Sequence, residues 1–257
     1  MADDKFGRRT ARTGSVCAAS LESAEESKAA MPQGALRALD LLGLLFLFPV
    51  VLPVGLLLAL FIKLVSPGPV FFRQERVGLG GSRFTLFKFR TMRVDAEQAA
   101  HEKYARQFMR SDAPMTKLDH QDTRLIPLGR VLRASGVDEL PQLLNVLRGE
   151  MRLVGPRPCL PYEYEAYEPW QKRRFEAVPG LTGLWQVSGK NQTTFNEMIE
   201  LDIQYAETAS VWLDLQILAK TLPAVLAQVQ ALRRRSQDRT DFYPSTAAIR
   251  TNEGLAE

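Results

Sequence analysis

Between Asp40 and Lys63 the chain runs for about 22 residues without a charged side chain. That is long enough to cross the hydrocarbon core of a bilayer as an α-helix. No other feature restricts the fold as much, because a segment this apolar must be covered by lipid or by protein. Pro49 and Pro53 stand in its middle. Each removes a backbone donor and crowds the preceding turn, so the helix is expected to bend sharply there. A bent helix can enter and leave one leaflet, provided that its freed carbonyls find partners. The flanks suit such a path. Arg37 lies on one side and Lys63, Arg73 and Arg76 on the other, so the positive-inside preference does not separate the two ends. On the residues alone, a re-entrant and a spanning segment both stay open. A core helix of a soluble protein fits less well.

The rest of the 257 residues can form one domain of ordinary size with tails. Residues 1–34 are rich in Ala, Ser, Arg and Glu without apolar periodicity and read as a disordered tail. Residues 232–257, opening on Arg233-Arg234-Arg235, read as a basic, disordered tail. A cleaved signal peptide is not expected, since the apolar run starts late and no small-residue cleavage site follows it. The net charge of +4 suits anionic lipid or a phosphorylated substrate. It is too scattered for nucleic acid, which would call for a basic stripe and a binding motif. Cys17 and Cys159 give neither a disulfide framework nor ligand spacing, which points to a reduced, cytosolic setting. Cys159 reads as a small buried filler. His101 and His120 are not paired at ligand spacing, which argues against a zinc site and a Ser-His-Asp hydrolase.

The expected fold class is mixed α/β (α+β): a helix-rich single catalytic domain over 66–231, preceded by the membrane segment at 35–65. Ser66-Pro67-Gly68-Pro69 is a rigid turn. Val70-Phe71-Phe72 and Phe84 to Arg90 read as strands, with Gly78 to Ser82 as the hairpin loop between them. That loop is not a dinucleotide fingerprint, because no helix follows it. Residues 95–110 read as a polar helix and 111–124 as a charged loop. Leu140, Leu143, Leu144 and Leu147 fall at i, i+3, i+4 and i+7, which predicts an amphipathic helix over 138–148. Pro141 belongs in its first turn, placing Asp138 near the N-cap. Further helices are predicted over 161–177, 195–206 and 211–231, and a tight loop at Pro179 to Gly183. In the last helix Leu215, Leu218, Leu222, Val225, Leu226 and Val229 share a face. Amphipathic helices of this kind can lie at a membrane interface.

Asp138-Glu139 is the first candidate for chemistry. At a helix N-terminus the dipole and free amides favour an ionised carboxylate. Such an aspartate can serve as a nucleophile or a magnesium ligand. Glu139 points about 100° around the helix and could handle a proton or a second metal contact. The bland alternative is an N-cap followed by a first-turn acid. Arg157, between Pro156 and Pro158, is presented from a stiff turn, and its guanidinium fork matches phosphate oxygens; a structural ion pair is the alternative. Lys88 and Arg90 share a face of the second strand, with Arg93 nearby, and suit a diphosphate unless that face is merely solvated. Asp119-His120-Gln121-Asp122 reads as a solvated loop rather than a metal site. Ser188-Gly189-Lys190-Asn191 is a weak phosphate or base contact.

Taken together, these segments resemble the bacterial sugar transferase family, the monotopic phosphoglycosyl transferases. The resemblance rests on the proline-broken helix from Asp40, Phe71-Phe72-Arg73-Gln74-Glu75-Arg76-Val77-Gly78, Phe87-Lys88-Phe89-Arg90-Thr91-Met92, the stretch from Asp138 to Met151, Gly155-Pro156-Arg157-Pro158, and the stretch from Pro179 to Asn191. It implies transfer of a sugar 1-phosphate from a UDP-sugar to polyprenyl (undecaprenyl) phosphate, with release of UMP, as the first step of polysaccharide or glycoconjugate synthesis. It implies Asp138 as nucleophile and Mg²⁺ contact, Glu139 in support, Arg133 and Arg157 as phosphate-binding arginines, and Lys190 near the nucleotide. Location at the cytoplasmic face of the bacterial inner membrane follows, and a lipid acceptor favours the re-entrant path. A homo-oligomer stays open. Two departures are visible: Leu52-Pro53 stands where many members have Ser-Pro, and Lys190 where Arg is usual. The competing readings are a glycosyltransferase that releases UDP and a non-enzymatic membrane-anchored export scaffold.

Overall fold

Pro49 and Pro53 do not divide the apolar segment: helix α1 runs from Gln33 to Val65 through both of them. In the computed structural model, which describes residues 33–93, 109, 124–189 and 193–242, α1 is the one described helix long and apolar enough to cross a membrane. The sharp break expected at the prolines is therefore not seen as an interruption of the helix. Both ends of α1 rest on the same globular body. Near its start, Arg37 donates to the carbonyls of Val146 and Leu147 at 2.5 and 2.8 Å. Near its end, Leu58 and Ile62 are buried against Phe89 and Ile126. Between these contacts Leu45, Phe46, Phe48, Val50, Leu56 and Leu57 are exposed.

A buried polar knot ties the first end down. Asp40 Oδ1 accepts from the Leu153 amide at 3.0 Å, and its Oδ2 accepts from Arg152 Nε at 3.1 Å. The same guanidinium donates to Asp214 at 2.5 Å and to the Tyr205 hydroxyl at 3.1 Å. Tyr205 donates in turn to Asp214 at 2.7 Å. Each charge is thus removed from water only in company, as burial requires.

The polypeptide then forms an antiparallel hairpin, β1 (Phe71–Val77) and β2 (Arg83–Phe89), with Phe71 opposite Phe89 and Val77 opposite Arg83. The turn at Leu79–Gly81 uses Gly80 and Gly81 in the left-handed region, where a side chain would be strained. Helix α2 (Gly129–Ser135) precedes a 3₁₀ turn, Val137–Gln142, which runs directly into α3 (Leu143–Arg148). Strand β3 (Arg152–Val154) pairs in parallel with β4 (Gly180–Thr182). Between them lie α4 (Pro161–Ala166) and a 3₁₀ turn at Gln171–Glu176. The predicted helix over 161–177 is thus two short pieces; Tyr167 leaves α4 in an extended conformation just before Glu168-Pro169, and a residue before proline disfavours the helical region. The predicted loop at Pro179 to Gly183 contains β4. Its glycines explain the misreading, since they serve a close approach: a Cβ on Gly180 would lie 2.0 Å from the Gly155 amide nitrogen.

After α5 (Leu184–Val187), helix α6 (Phe195–Thr208) opens on a capping box. Glu197 accepts from the Thr194 amide at 2.7 Å, and Thr194 Oγ1 accepts from the Glu197 amide at 3.3 Å. Helix α7 spans Val211–Phe242. The predicted apolar faces of α3 and α7 are present, but only part of each meets the core: Leu140, Leu143 and Leu218 pack against it. Leu144, Leu147, Leu215, Leu222 and Leu226 are exposed, whereas Asn145, Val146, Asp214 and Ile217 are buried. The core proper combines Val77, Cys159, Tyr167, Phe175 and Trp185 with α6, and Leu86, Val146, Met151 and Val154 with Tyr205 and Ile217. Cys159 is the buried filler expected, and burial pushes its thiol up to about 12. Helix α7 continues beyond the predicted end at 231, so residues 232–242 of the expected disordered tail have a helical backbone. The predicted helix over 95–110 apart from Met109, most of the 111–124 loop with its acidic cluster, both histidines, Cys17, Lys190, residues 1–32 and residues 243–257 lie outside the described residues.

Candidate active site

The pair Asp138-Glu139 sits in the first turn of the 3₁₀ segment, whose cap position is taken by Gly136 in the left-handed conformation. An aspartate that merely caps its helix does not describe Asp138. It occupies a later position, and it is buried at 6% exposure. Successive residues of a 3₁₀ turn diverge by about 120°. Glu139 accordingly leans toward β2, where its Oε1 accepts from Lys88 Nζ at 2.7 Å.

Lys88 and Glu139 open onto a small pocket that is also lined by Arg76, Gln142, Arg157 and Gln186. The hairpin supplies Arg76 and Lys88, the 3₁₀ segment supplies Glu139 and Gln142, and the Gly-Pro-Arg-Pro turn supplies Arg157. Burial holds the Lys88 ammonium below the usual lysine range; Glu139 opposes that shift, and the cations Arg157 and Arg76 add to it. Burial, and then Arg157, likewise lower Arg76. Burial and the neighbouring Arg157 charge thus act against the charged forms of both Lys88 and Arg76, and a pocket lined by these three cations is ready for an anion.

The turn that carries Arg157 is gripped through its backbone. Arg76 Nη1 donates to the Pro158 carbonyl at 3.2 Å, and Arg174 Nη2 donates to the Arg157 carbonyl at 2.8 Å. Arg174 is itself buried in an ion pair with Asp202 and donates to the Tyr167 hydroxyl at 2.8 Å. Gly155 completes the grip, because a Cβ there would lie 2.3 Å from the Val178 carbonyl oxygen.

Of the residues expected to form the site, Lys88, Glu139 and Arg157 meet in the pocket, with Asp138 beside Glu139. Arg90 does not join them. Strand β2 ends at Phe89, and the buried Arg90 guanidinium donates to the carbonyls of Pro67 and Ser66 at 2.6 and 2.8 Å. It closes the turn after α1, so the shared cationic face with Lys88 is corrected to Lys88 alone. Arg133 stands half-buried in the last turn of α2, outside the pocket lining. Arg76, Gln142, Gln186, Arg174 and Asp202 were not singled out from sequence. Arg76 alone carried a signal, lying two residues from Gln74 and four from Phe72 on one strand face.

No group of three or more His, Cys, Asp or Glu side chains able to hold a metal occurs among the described residues. Asp138 and Glu139 are adjacent hard oxygen donors beside an anion site. That donor set fits a magnesium ion bound through one or two carboxylates plus substrate phosphates, and does not fit a closed all-protein cage.

Fold and pocket together define a phosphate-handling enzyme with one apolar helix docked along its body. Residues 31–228 match the family model described as bacterial sugar transferase, and the chain belongs to that family, whose members are enzymes of the phosphoglycosyl transferase class. It is 43% identical over 199 residues to the UDP-glucose:undecaprenyl-phosphate glucose-1-phosphate transferase of Caulobacter vibrioides, covering 74% of this chain and 69% of that one. Over 207 residues it is 37% identical to the exopolysaccharide production protein ExoY of Rhizobium meliloti, covering 78% of this chain and 90% of the relative. The galactosyl transferase CpsE of Streptococcus agalactiae is 47% identical over 160 residues, but the matched part is 35% of its length.

Proposed function

We propose that this protein transfers a sugar 1-phosphate from a UDP-sugar to polyprenyl phosphate through a covalent intermediate on Asp138, releasing UMP. The observation that carries the reading is the convergence of Arg76, Lys88 and Arg157 on one pocket beside the Asp138-Glu139 pair. A relative named for glucose 1-phosphate transfer to undecaprenyl phosphate supports the same reaction.

Arg157 and Lys88 bind and orient the diphosphate. Asp138 then forms a bond to the sugar-bearing phosphorus while the bond from that phosphorus to the UMP oxygen breaks, and the electron pair leaves with UMP. A phosphate oxygen of the lipid acceptor next attacks the same phosphorus and expels the Asp138 carboxylate. Glu139, held by Lys88, supports this chemistry, and a Mg²⁺ ion would be held by Asp138 with Glu139 as a second oxygen donor. The chemistry that Mg²⁺ supplies when bound is neutralisation of the diphosphate charge.

The lipid acceptor requires a site at the membrane surface. The exposed middle of α1, together with Leu144, Leu147, Trp212, Leu215, Leu222 and Leu226, supports contact with one leaflet. Docking of both α1 ends on one body supports the re-entrant path. The setting is then the cytoplasmic face of the inner membrane, at the start of polysaccharide assembly.

The released nucleotide tests the reaction. UMP is expected from UDP-sugar plus polyprenyl phosphate, and UDP would instead identify a glycosyltransferase. Asp138→Asn should abolish both turnover and the trapped phosphosugar adduct; a protein acting as a scaffold would keep its function. Tags at residues 30 and 240 should report the same side of the membrane, and opposite sides would establish a spanning helix.

A further inference from the structure

Two buried polar atoms on the pocket residues have no hydrogen-bond partner among the described residues, and they are of opposite sense. One is Arg76 Nε, a donor; the other is Gln186 Oε1, an acceptor. Arg76 is 8% exposed, and its two terminal nitrogens are already engaged, one with the Pro158 carbonyl and the other with Gln74 Oε1 at 2.7 Å. The guanidinium is therefore fixed in place with its Nε–H left over. Gln186 follows buried Trp185, whose indole donates to Thr193 Oγ1 at 2.7 Å, so the short helix that carries Gln186 is also anchored. Leaving a buried donor or acceptor unmet destabilises a protein by about 1–3 kcal/mol, and such groups call for an explanation.

A ligand that satisfies both must offer an acceptor to Arg76 and a donor to Gln186. Phosphate oxygens supply only the first. A hydroxyl-bearing sugar attached to a diphosphate supplies both within one molecule. We infer that Arg76 Nε–H binds an oxygen of the donor's diphosphate and that Gln186 Oε1 accepts from a hydroxyl of its hexose, making Gln186 a residue that reads the sugar. This rests on the proposed reaction and assigns contacts within its donor site. It also separates the two arginines of the pocket: Arg157 offers a fork, whereas Arg76 offers a single bond from a fixed plane.

The test measures binding of UDP, UDP-glucose and UDP-galactose, with Mg²⁺, to the full-length protein in detergent. An Asp138→Asn background prevents turnover. Gln186→Met should weaken whichever UDP-sugar binds best by about tenfold and leave UDP unchanged, since UDP carries no hexose. Gln186→Glu keeps an acceptor. Its added charge weakens UDP and UDP-sugar alike, so their affinity ratio should stay at the parental value, and this also controls for misfolding. Arg76→Lys should weaken UDP and UDP-sugar together by about tenfold. An equal loss of UDP in Gln186→Met, or no loss at all, overturns the sugar contact. If Arg76→Lys binds UDP normally but raises the KM for polyprenyl phosphate, the anion belongs to the acceptor and the diphosphate contact is wrong. Turnover of the otherwise unmutated protein separates the two levels. UMP release together with an unaffected Gln186→Met sinks this inference alone, whereas sugar-dependent binding without UMP sinks the reaction and leaves the site.

Discussion

Lys88 Nζ lies 2.7 Å from Glu139 Oε1, joining the hairpin to the turn that holds Asp138. Their side chains are 18% and 27% exposed, so water screens the pair only in part. The contact fixes where Glu139 points and keeps Lys88 at the pocket mouth. Lys88→Met should lower kcat/KM for the UDP-sugar by roughly 10²-fold, in the range of a lost charge-stabilising contact. Glu139→Gln should lower kcat more than it raises KM. A double-mutant cycle between the two should show coupling, and strict additivity would argue that they act apart.

The pH dependence follows from Lys88. Its folded pKa lies below that of an ordinary lysine, chiefly through burial. Below that lowered pKa the ammonium is charged and can bind phosphate; above it the charge is lost and Glu139 is left without its partner. The donor kcat/KM should therefore fall on the alkaline side with an apparent pKa below that of an ordinary lysine, and Lys88→Arg should remove that limb. Stability moves the other way. Between the two pKa values the unfolded chain binds more protons at this group, so its contribution to stability rises with pH.

Breaking the pair of Arg174 and Asp202 should be severe. Both residues are essentially inaccessible, and Arg174 also holds the Arg157 carbonyl. Asp202→Ala strands a buried guanidinium and should cost about 3–5 kcal/mol in urea unfolding. Under native conditions the variant should also show a raised KM for the UDP-sugar, because the turn presenting Arg157 loosens.

Gly155→Ala tests the close approach behind that turn. The new Cβ would meet the Val178 carbonyl oxygen at 2.3 Å and the Gly180 nitrogen at 2.8 Å, both of them backbone. Backbone cannot rotate aside, so a loss of about 1–3 kcal/mol is expected in thermal or denaturant unfolding. Gly34→Ala, where nothing lies within 4 Å, should be silent and serves as the control.

The anchor knot predicts a different phenotype. Asp40→Ala removes the acceptor for both the Leu153 amide and Arg152. The catalytic domain should remain folded while the first end of α1 loosens. Limited proteolysis near Gln33 should accelerate at least several-fold, well before global unfolding.

Much of this was legible in the sequence where local chemistry dictates structure. The hairpin, the apolar helix and the stiff arginine turn all follow from residue types at fixed spacing, whereas the helix expected from 138 begins as a 3₁₀ segment capped by Gly136, with Pro141 near its end. The misreadings share a cause. Leu144, Leu147, Leu222 and Leu226 obey the helical period, yet they face outward, because periodicity locates an apolar face without saying whether protein or lipid covers it. Arg90 was placed in the site by strand alternation, but the strand ends one residue earlier and tertiary carbonyls capture its guanidinium. Gln142, Gln186 and Asp202 gain meaning only from what surrounds them in space, and a glutamine or a buried aspartate announces nothing in one dimension.

The stretch from Val137 to Arg148 carries the Asp138-Glu139 pair at one end and the exposed Leu144 and Leu147 toward the other. Arg37 clasps its final carbonyls. The paired carboxylates and the greasy surface are therefore two marks on a single stiff gauge roughly 15–20 Å long. Its calibration is set by residue count. One residue added between Gln142 and Leu147 would turn the leucines by about 100° and push them about 1.5 Å farther from Asp138. Substitutions along this gauge can be absorbed; a change in its length would mis-set the distance and angle between the carboxylates and the exposed leucines.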